Sequence, residues 1–342
     1  MQLSTQINYA GGFKQATDQV VELEKVGLDM AWVAEAYSFD AVSSMGYLAA
    51  KTSTVKLAAG ILPIYTRTPT LIAMTAAGID ALSEGRCVLG LGASGPQVIE
   101  GFHGVVYDRP LGRTREIIDI CRQVWRRERV EHVGTSYQIP VPAGKGTGLG
   151  KPLKLINHPV RSEIPIYVAS LGPKNVEMTA ELADGWLPLF YLPEKAKQVW
   201  GDDLAAGASK RSADLGPLEI VAGGLLAVGD GAEAVREFAR PMAALYIGGM
   251  GAKGKNFYND LVRRYGFEAE AEAIQDLYLD GKKDEAAKMV PDELLEATTL
   301  CGSEGYVRER IAAYKESGVT VLNVTPIGED PVKLIEQVKS WM

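Results

Sequence analysis

The side chains best placed to move a proton are Glu35, Glu100 and His103. Glu35 closes the apolar run that starts at Met30, and Glu100 and His103 follow the run from Cys87 to Leu91. A carboxylate can accept a hydrogen bond or trade a proton, and a histidine changes charge near neutral pH. Glu35 either meets a ligand or forms an ion pair with an arginine such as Arg67. Around these residues lie stretches that let another molecule approach the backbone. Gly92, Ala93 and Ser94 end one apolar run. Gly60 and Ile61 sit inside another, where a glycine marks a bulge, a close approach or a tightly packed stave. Ser170, Leu171 and Gly172 form a strand-to-helix turn; its free N–H groups suit a phosphate, and the same three residues equally suit an ordinary tight turn. His132 and His158 fall in or beside a Gly- and Pro-rich stretch. The histidines and cysteines show no CxxC or HxxxH spacing, so no metal site is expected.

These residues need elements to position them, and the stretch from Lys56 to Ser94 shows the plan. The run Lys56 to Leu62 is too short for a buried helix and stops at Pro63, so it reads as a buried strand. Thr68 is placed as an N-cap, with Pro69 in the first turn. Leu71, Met74, Ile79 and Leu82 give the following helix an apolar face. Glu84-Gly85-Arg86 ends that helix, with Gly85 suited to a left-handed cap. Cys87 to Leu91 is the next strand.

The same alternation runs through the chain. Leu3 to Asn8 is a short alternating stretch broken by Gly11-Gly12. Eight parallel-type runs begin near residues 3, 30, 56, 87, 164, 186, 218 and 319, most of them separated by helical patterns. Eight strands alternating with helices predict a (β/α)8 TIM barrel, in which the site forms at the C-terminal ends of the strands. The open doubly wound sheet is the rival, but no GxGxxG follows the first strand. Residues 1–342 read as a single barrel domain with insertions. One is a loop or hairpin at about 130–160, with short strands expected at Val130 to Ile139 and Leu153 to Ile156. The other is helical, at about 240–300. The run Leu218 to Val228 reads as interrupted by Gly223-Gly224.

Composition narrows the function classes. The 342 residues are 46% hydrophobic and 23% charged, with a net charge of −7. That fits a globular protein with a sizeable core and makes nucleic acid or an anionic membrane an unexpected partner. Cys87, Cys121 and Cys301 lie far apart, which suggests small core residues rather than a disulfide framework. Residues 1–12 lack the pattern of a signal peptide, and no run is long enough to span a bilayer, so a cytoplasmic setting is expected.

The chain resembles the luciferase-like superfamily and, within it, the coenzyme F420-dependent oxidoreductases. The resemblance rests on GILPIYTRTP at 60–69, IDALSEGR at 79–86, LGLGASGPQVIEGFHG at 89–104, IPIYVASLGPKNVEMTAELADGW at 164–186 and GVTVLNVTP near residue 320. It implies the TIM barrel independently. It implies F420 as cofactor, with FMN as the alternative, and hydride transfer between the deazaflavin C5 and a small organic substrate. A luciferase-like FMN monooxygenase or a non-catalytic F420-binding protein would share the fold. The resemblance places Glu35, Gly60, Ile61, Gly92, Ala93, Ser94, Ser170, Leu171 and Gly172 at the cofactor. It implies a non-prolyl cis peptide at Gly60–Ile61 and a catalytic acid in the segment holding Glu100 and His103. It also implies a homodimer. The sugar-phosphate dehydrogenases of this group carry a histidine directly after the acidic residue of strand two. Here that residue is Ala36, which argues against a sugar substrate.

Overall fold

The structure, a computed structural model, describes residues 1–7 and 12–342. Asn8 and Gly11 of the first expected strand and its break lie outside them. The strands β1 (Gln2–Gln6), β2 (Met30–Val33), β3 (Lys56–Ala59), its continuation β4 (Leu62–Pro63) and β5 (Cys87–Gly92) alternate with helices α1 (Phe13–Lys25), α2 (Ala41–Lys51) and α3 (Pro69–Leu82). Helices α4 (Pro96–Gly101) and α5 (Pro110–Trp125) lead to an antiparallel hairpin, β6 (His132–Val133) and β7 (Gln138–Ile139). Then come β8 (Ile166–Val168), α6 (Pro173–Leu182), β9 (Gly185–Trp186), α7 (Pro193–Ala208) and β10 (Glu219–Val228). Beyond β10 lie α8 (Arg240–Ala244), α9 (Phe257–Arg264), α10 (Glu268–Leu279), α11 (Lys283–Lys288) and α12 (Asp292–Ala297). The chain ends with β11 (Leu300–Gly302), α13 (Glu304–Glu316), β12 (Val321–Pro326) and α14 (Pro331–Ser340).

The strands pair in parallel in the order β10, β12, β1, β2, β3, β5, β8, β9, and β9 pairs back onto β10. The sheet is therefore a closed barrel, and each of its staves begins within about two residues of a run read from the sequence. Local chemistry explains the boundaries. Thr68 Oγ1 accepts the Leu71 N–H at 3.3 Å, and Pro69 opens α3 as the capping pattern predicts. Gly85 adopts φ 89° just past that helix, the left-handed turn its missing Cβ allows.

Two layers of core follow. Met30, Trp32, Ala58, Val88, Tyr167, Val221 and Val321 fill the barrel interior. A larger cluster, including Leu3, Ile7, Leu57, Leu89 and Ile166, packs the outer faces of the staves against the helices. Alternation of inward and outward side chains along each strand produces both. All three cysteines are buried and free, as core residues should be. Among the described residues, no helix is long and apolar enough to cross a membrane.

Three details differ from the sequence reading. Of the expected apolar face of α3, Ile79 is buried while Leu71, Met74 and Leu82 are exposed. The hairpin lies wholly within His132 to Ile139; Leu153 to Ile156 form no strand, although Leu153 O accepts the Val130 N–H at 3.0 Å. Gly223 and Gly224 do not break β10. A Cβ on Gly224 would stand 2.0 Å from Thr298 O, so the glycine admits the backbone leading into β11, a strand the sequence did not reveal. Helices α8 to α12, from Arg240 to Ala297, lie between β10 and β11.

Candidate active site

The candidate residues gather at the C-terminal ends of the staves. Glu35 follows β2, and both of its oxygens are engaged. Arg67 donates Nη1 to Oε1 at 2.5 Å and Nη2 to Oε2 at 2.8 Å, and the Ala41 N–H donates to Oε2 at 2.9 Å. Of the two roles open to Glu35, the ion pair is the one the geometry displays. The pair fastens the loop after β4 to the N-terminus of α2.

Gly60 and Ile61 lie between β3 and β4, and their peptide bond is cis, as the resemblance implied. A Cβ on Gly60 would meet the Trp32 ring at 3.2 Å. A Cβ on Gly92 would stand 2.7 Å from Ile61 Cγ1. Gly92 thus lets the apolar Ile61 side chain lie against the end of β5, and Gly60 lets the chain pass close to Trp32. Ser94, at φ 58°, turns the chain out of the barrel, and its carbonyl accepts the Tyr107 hydroxyl at 3.4 Å. Ala93 is half-buried beside it.

Glu100 and His103 face different tasks. Glu100 Oε1 accepts the Tyr107 N–H at 3.1 Å and so shapes its own loop. His103 packs edge-on against Phe102, and its Nε2 is buried with no partner among the described residues. A buried, unpaired ring nitrogen costs free energy unless a ligand or water meets it. Of the three proton-moving candidates, Glu35 is fully engaged, Glu100 accepts one N–H through Oε1, and His103 keeps a buried ring nitrogen without a partner among the described residues.

The loop that carries these residues is pinned by Arg113. Its guanidinium lies 5.3 Å from the Tyr65 ring centroid and 5.4 Å from that of Tyr137. It donates to Asp108 Oδ1 at 2.6 Å and to the Tyr137 hydroxyl at 3.2 Å. The Arg113 hydrogen bonds hold the Asp108 carboxyl below the usual carboxylate range. Tyr65 donates its hydroxyl to Asp108 O at 2.9 Å, and burial pushes its phenol well above the ordinary value. The hairpin insertion, through Tyr137, therefore braces the loop after β5.

The second cluster begins at α6. Gly172 is its N-cap and supplies no side-chain bond; Pro173 has no N–H and the Asn175 N–H donates to Gly172 O at 3.0 Å, so in the first turn the Lys174 N–H is the amide left for another acceptor. Ser170 is buried, bonded to Thr179 Oγ1 at 2.8 Å, and its carbonyl accepts from Trp186 Nε1 at 2.8 Å. Leu171 O accepts from Trp200 Nε1 at 3.2 Å. The turn is held from behind while its front stays open. Lys174 pairs with Glu177 on the surface.

Two residues escaped the sequence reading. Gln6 and Trp32 are register partners on β1 and β2, and Gln6 Nε2 and Trp32 Nε1 are both buried without an acceptor among the described residues. A glutamine and a tryptophan on separate strands carry no motif; only the parallel register sets them side by side. Among the described residues, no His, Cys, Asp and Glu group could hold a metal ion.

The profile of the luciferase-like monooxygenase family matches residues 1–321. The chain belongs to this family. It is 40% identical over 339 residues to a Mycobacterium tuberculosis protein named, provisionally, a coenzyme F420-dependent oxidoreductase, covering 97% of both chains. It is 31% identical to the 5,10-methylenetetrahydromethanopterin reductase of Archaeoglobus fulgidus, covering 92% of this chain and 90% of that one. The structure of the F420-dependent tetrahydromethanopterin reductase of Methanopyrus kandleri superposes with a TM-score of 0.79 at 23% identity, covering 98% and 96% of the two chains. That likeness is one of fold and confirms the TIM barrel.

Proposed function

We propose that this family member is an F420-dependent oxidoreductase that transfers a hydride to or from a small organic substrate. The observation that carries the reading is the 40% identity, across 97% of both chains, to a relative named for that cofactor. The site fits the group. Ile61 beside Gly92 offers an apolar surface, Gln6 Nε2 and Trp32 Nε1 offer donors unpaired among the described residues, and the start of α6 offers the Lys174 N–H to a phosphate.

The cofactor, when bound, supplies the hydride chemistry at C5 of its deazaflavin ring. The residues of this chain orient and protect. Gly60, Ile61 and Gly92 support one face of a planar ring. Ala93 and Ser94 border it, and the turn Ser170-Leu171-Gly172 receives the phosphate. The pair of Glu35 and Arg67 fixes the loop at the rim. His103 Nε2 holds or delivers the proton that accompanies a hydride, and Glu100 keeps the His103 loop in shape. Ala36 leaves no base beside Glu35 for a sugar hydroxyl, so the substrate is not read as a sugar phosphate.

The assembly is a homodimer in this reading. Leu71, Met74 and Leu82 stand 45%, 51% and 67% exposed along α3, an apolar stripe suited to a second copy. The rival reading, an FMN monooxygenase, is favoured by the family's own description. A fluorescence titration decides between them: F420 should bind more tightly than FMN, and equal or tighter FMN binding would reject the proposal. A protein that binds F420 yet turns over no member of a broad carbonyl and alcohol panel would be the non-catalytic carrier.

A further inference from the structure

We infer that the substrate of this site is a neutral compound with a planar aromatic or conjugated ring, held by an aromatic rim at the barrel mouth. The inference deepens the proposed function and rests on it for the site's location. Tyr37, Phe39 and Phe102 are 68%, 81% and 66% exposed. Tyr37 and Phe39 lie on the loop after β2, and Phe102 ends α4 after β5. The two loops meet here: the Tyr37 and Phe102 ring centroids are 6.2 Å apart. Phe102 in turn packs on His103 at 5.1 Å, so the rim adjoins the ring nitrogen left without a partner among the described residues. Single exposed apolar side chains are commonplace, whereas a contiguous patch beside reactive groups marks something that covers it.

The size of the patch selects the occupant. The touching Tyr37 and Phe102 side chains, of about 150–250 Å² each and two-thirds exposed, offer roughly 270 Å², and Phe39 is exposed on the same loop as Tyr37. A stable protein interface buries about 800 Å² per partner. A ring-bearing small molecule matches the patch and a second chain does not. The neighbouring charges select against an anion. Arg67 is bound by both oxygens of Glu35, and Arg113 by Asp108, so neither is free to meet a phosphate or carboxylate. Aromatic rings favour offset or edge-to-face contact with another planar π-system over a saturated ring of equal bulk.

The test uses two neutral alcohols of matched length, trans-cinnamyl alcohol and 3-cyclohexyl-1-propanol, titrated by saturation-transfer NMR into the full chain with and without F420. The wild type should bind the planar alcohol at least fivefold more tightly than the saturated one. Phe39→Ser combined with Phe102→Ser should abolish that preference while leaving F420 affinity within twofold and the melting temperature within two degrees. Tyr37→Phe, which keeps the ring, should retain it. No preference in the wild type, or a preference that survives in the double variant, overturns the inference. A change of molecular mass in the double variant by light scattering also overturns it, since the rim would then face another chain. Failure of F420 to bind overturns the cofactor reading alone, because the preference is measured in the cofactor-free protein as well.

Discussion

Arg67 grips both carboxylate oxygens of Glu35 across the gap between the loops after β4 and β2, with the two side chains 15% and 8% exposed. The pair holds two rim loops in one geometry and spends the charge of both residues doing so. Removing one partner of such a pair strands the other and costs about 3–5 kcal/mol. Arg67→Met should therefore lower the urea midpoint substantially. Glu35→Gln with Arg67→Met together should recover most of the loss. A double variant no more stable than Arg67→Met alone would show that the pair does not act as a unit.

The contact between Gly92 and Ile61 makes a separate prediction. A methyl group on Gly92 would stand 2.7 Å from Ile61 Cγ1, so the Ile61 side chain must move toward the space in front of β5. Overpacking of this kind costs about 1–3 kcal/mol. Gly92→Ala should fold, and it should bind F420 at least tenfold more weakly, because the displaced side chain spoils the apolar surface. Gly90→Ala is the contrasting case: its Cβ would meet Ala59 O at 1.7 Å, and backbone cannot swing aside. That variant should fail to fold. Unchanged F420 affinity in Gly92→Ala would remove Ile61 from the cofactor site.

Most of the staves were legible because they are short apolar runs, and burial on both faces writes itself into composition. Cys87 to Leu91 is typical, buried throughout. Glu35, Gly60 and Gly172 were legible as candidates because barrel geometry puts strand ends at the site. What the sequence left open was partnership. Glu35 could face a ligand or Arg67, and only the structure shows the two-oxygen pair. Gln6 beside Trp32 and Tyr137 beside Arg113 depend on register and on the hairpin's path, which no local pattern encodes. Strand β11 stayed hidden because it is three residues long and its neighbour β10 looked interrupted by glycine.

Glu116 ties the hairpin to α5 in a pH-dependent way. It accepts the N–H groups of Thr135, Ser136 and Tyr137 at 3.1, 3.0 and 2.8 Å, and His132 Nε2 lies 3.2 Å away. Burial pushes its pKa up, but the N–H bonds from Ser136 and Tyr137 and the histidine outweigh it and hold the carboxyl below its ordinary value. A depressed folded-state pKa gives stability that is present above the unfolded value, about 4.3, and is lost as pH falls through the folded value. Glu116→Gln should therefore be less stable than wild type at pH 7, and the gap should close below about pH 4. Urea midpoints across pH 3–7 check this; a gap independent of pH would mean that the carboxylate charge contributes nothing.

The apolar stripe on α3 predicts the assembly. Leu71, Met74 and Leu82 follow helical spacing, yet all three point outward, while Ile72, Ala73, Ala76 and Ile79 are buried on the other side of the same helix. A helix apolar all round is expected where both faces are covered. Within the described residues the stave side is covered and the Leu71 side is not, so a second copy is the natural cover, and a two-fold axis would place each stripe against its twin. Wild-type protein at micromolar concentration should scatter light as a dimer of the 36.8 kDa chain. Met74→Glu with Leu82→Lys should halve that mass, since charges brought into an apolar interface are left without solvent or partners. The far-UV circular dichroism should not change, because neither side chain enters the core of its own subunit. A wild-type mass equal to one chain, or a dimer untouched by both charges, would move the interface off α3.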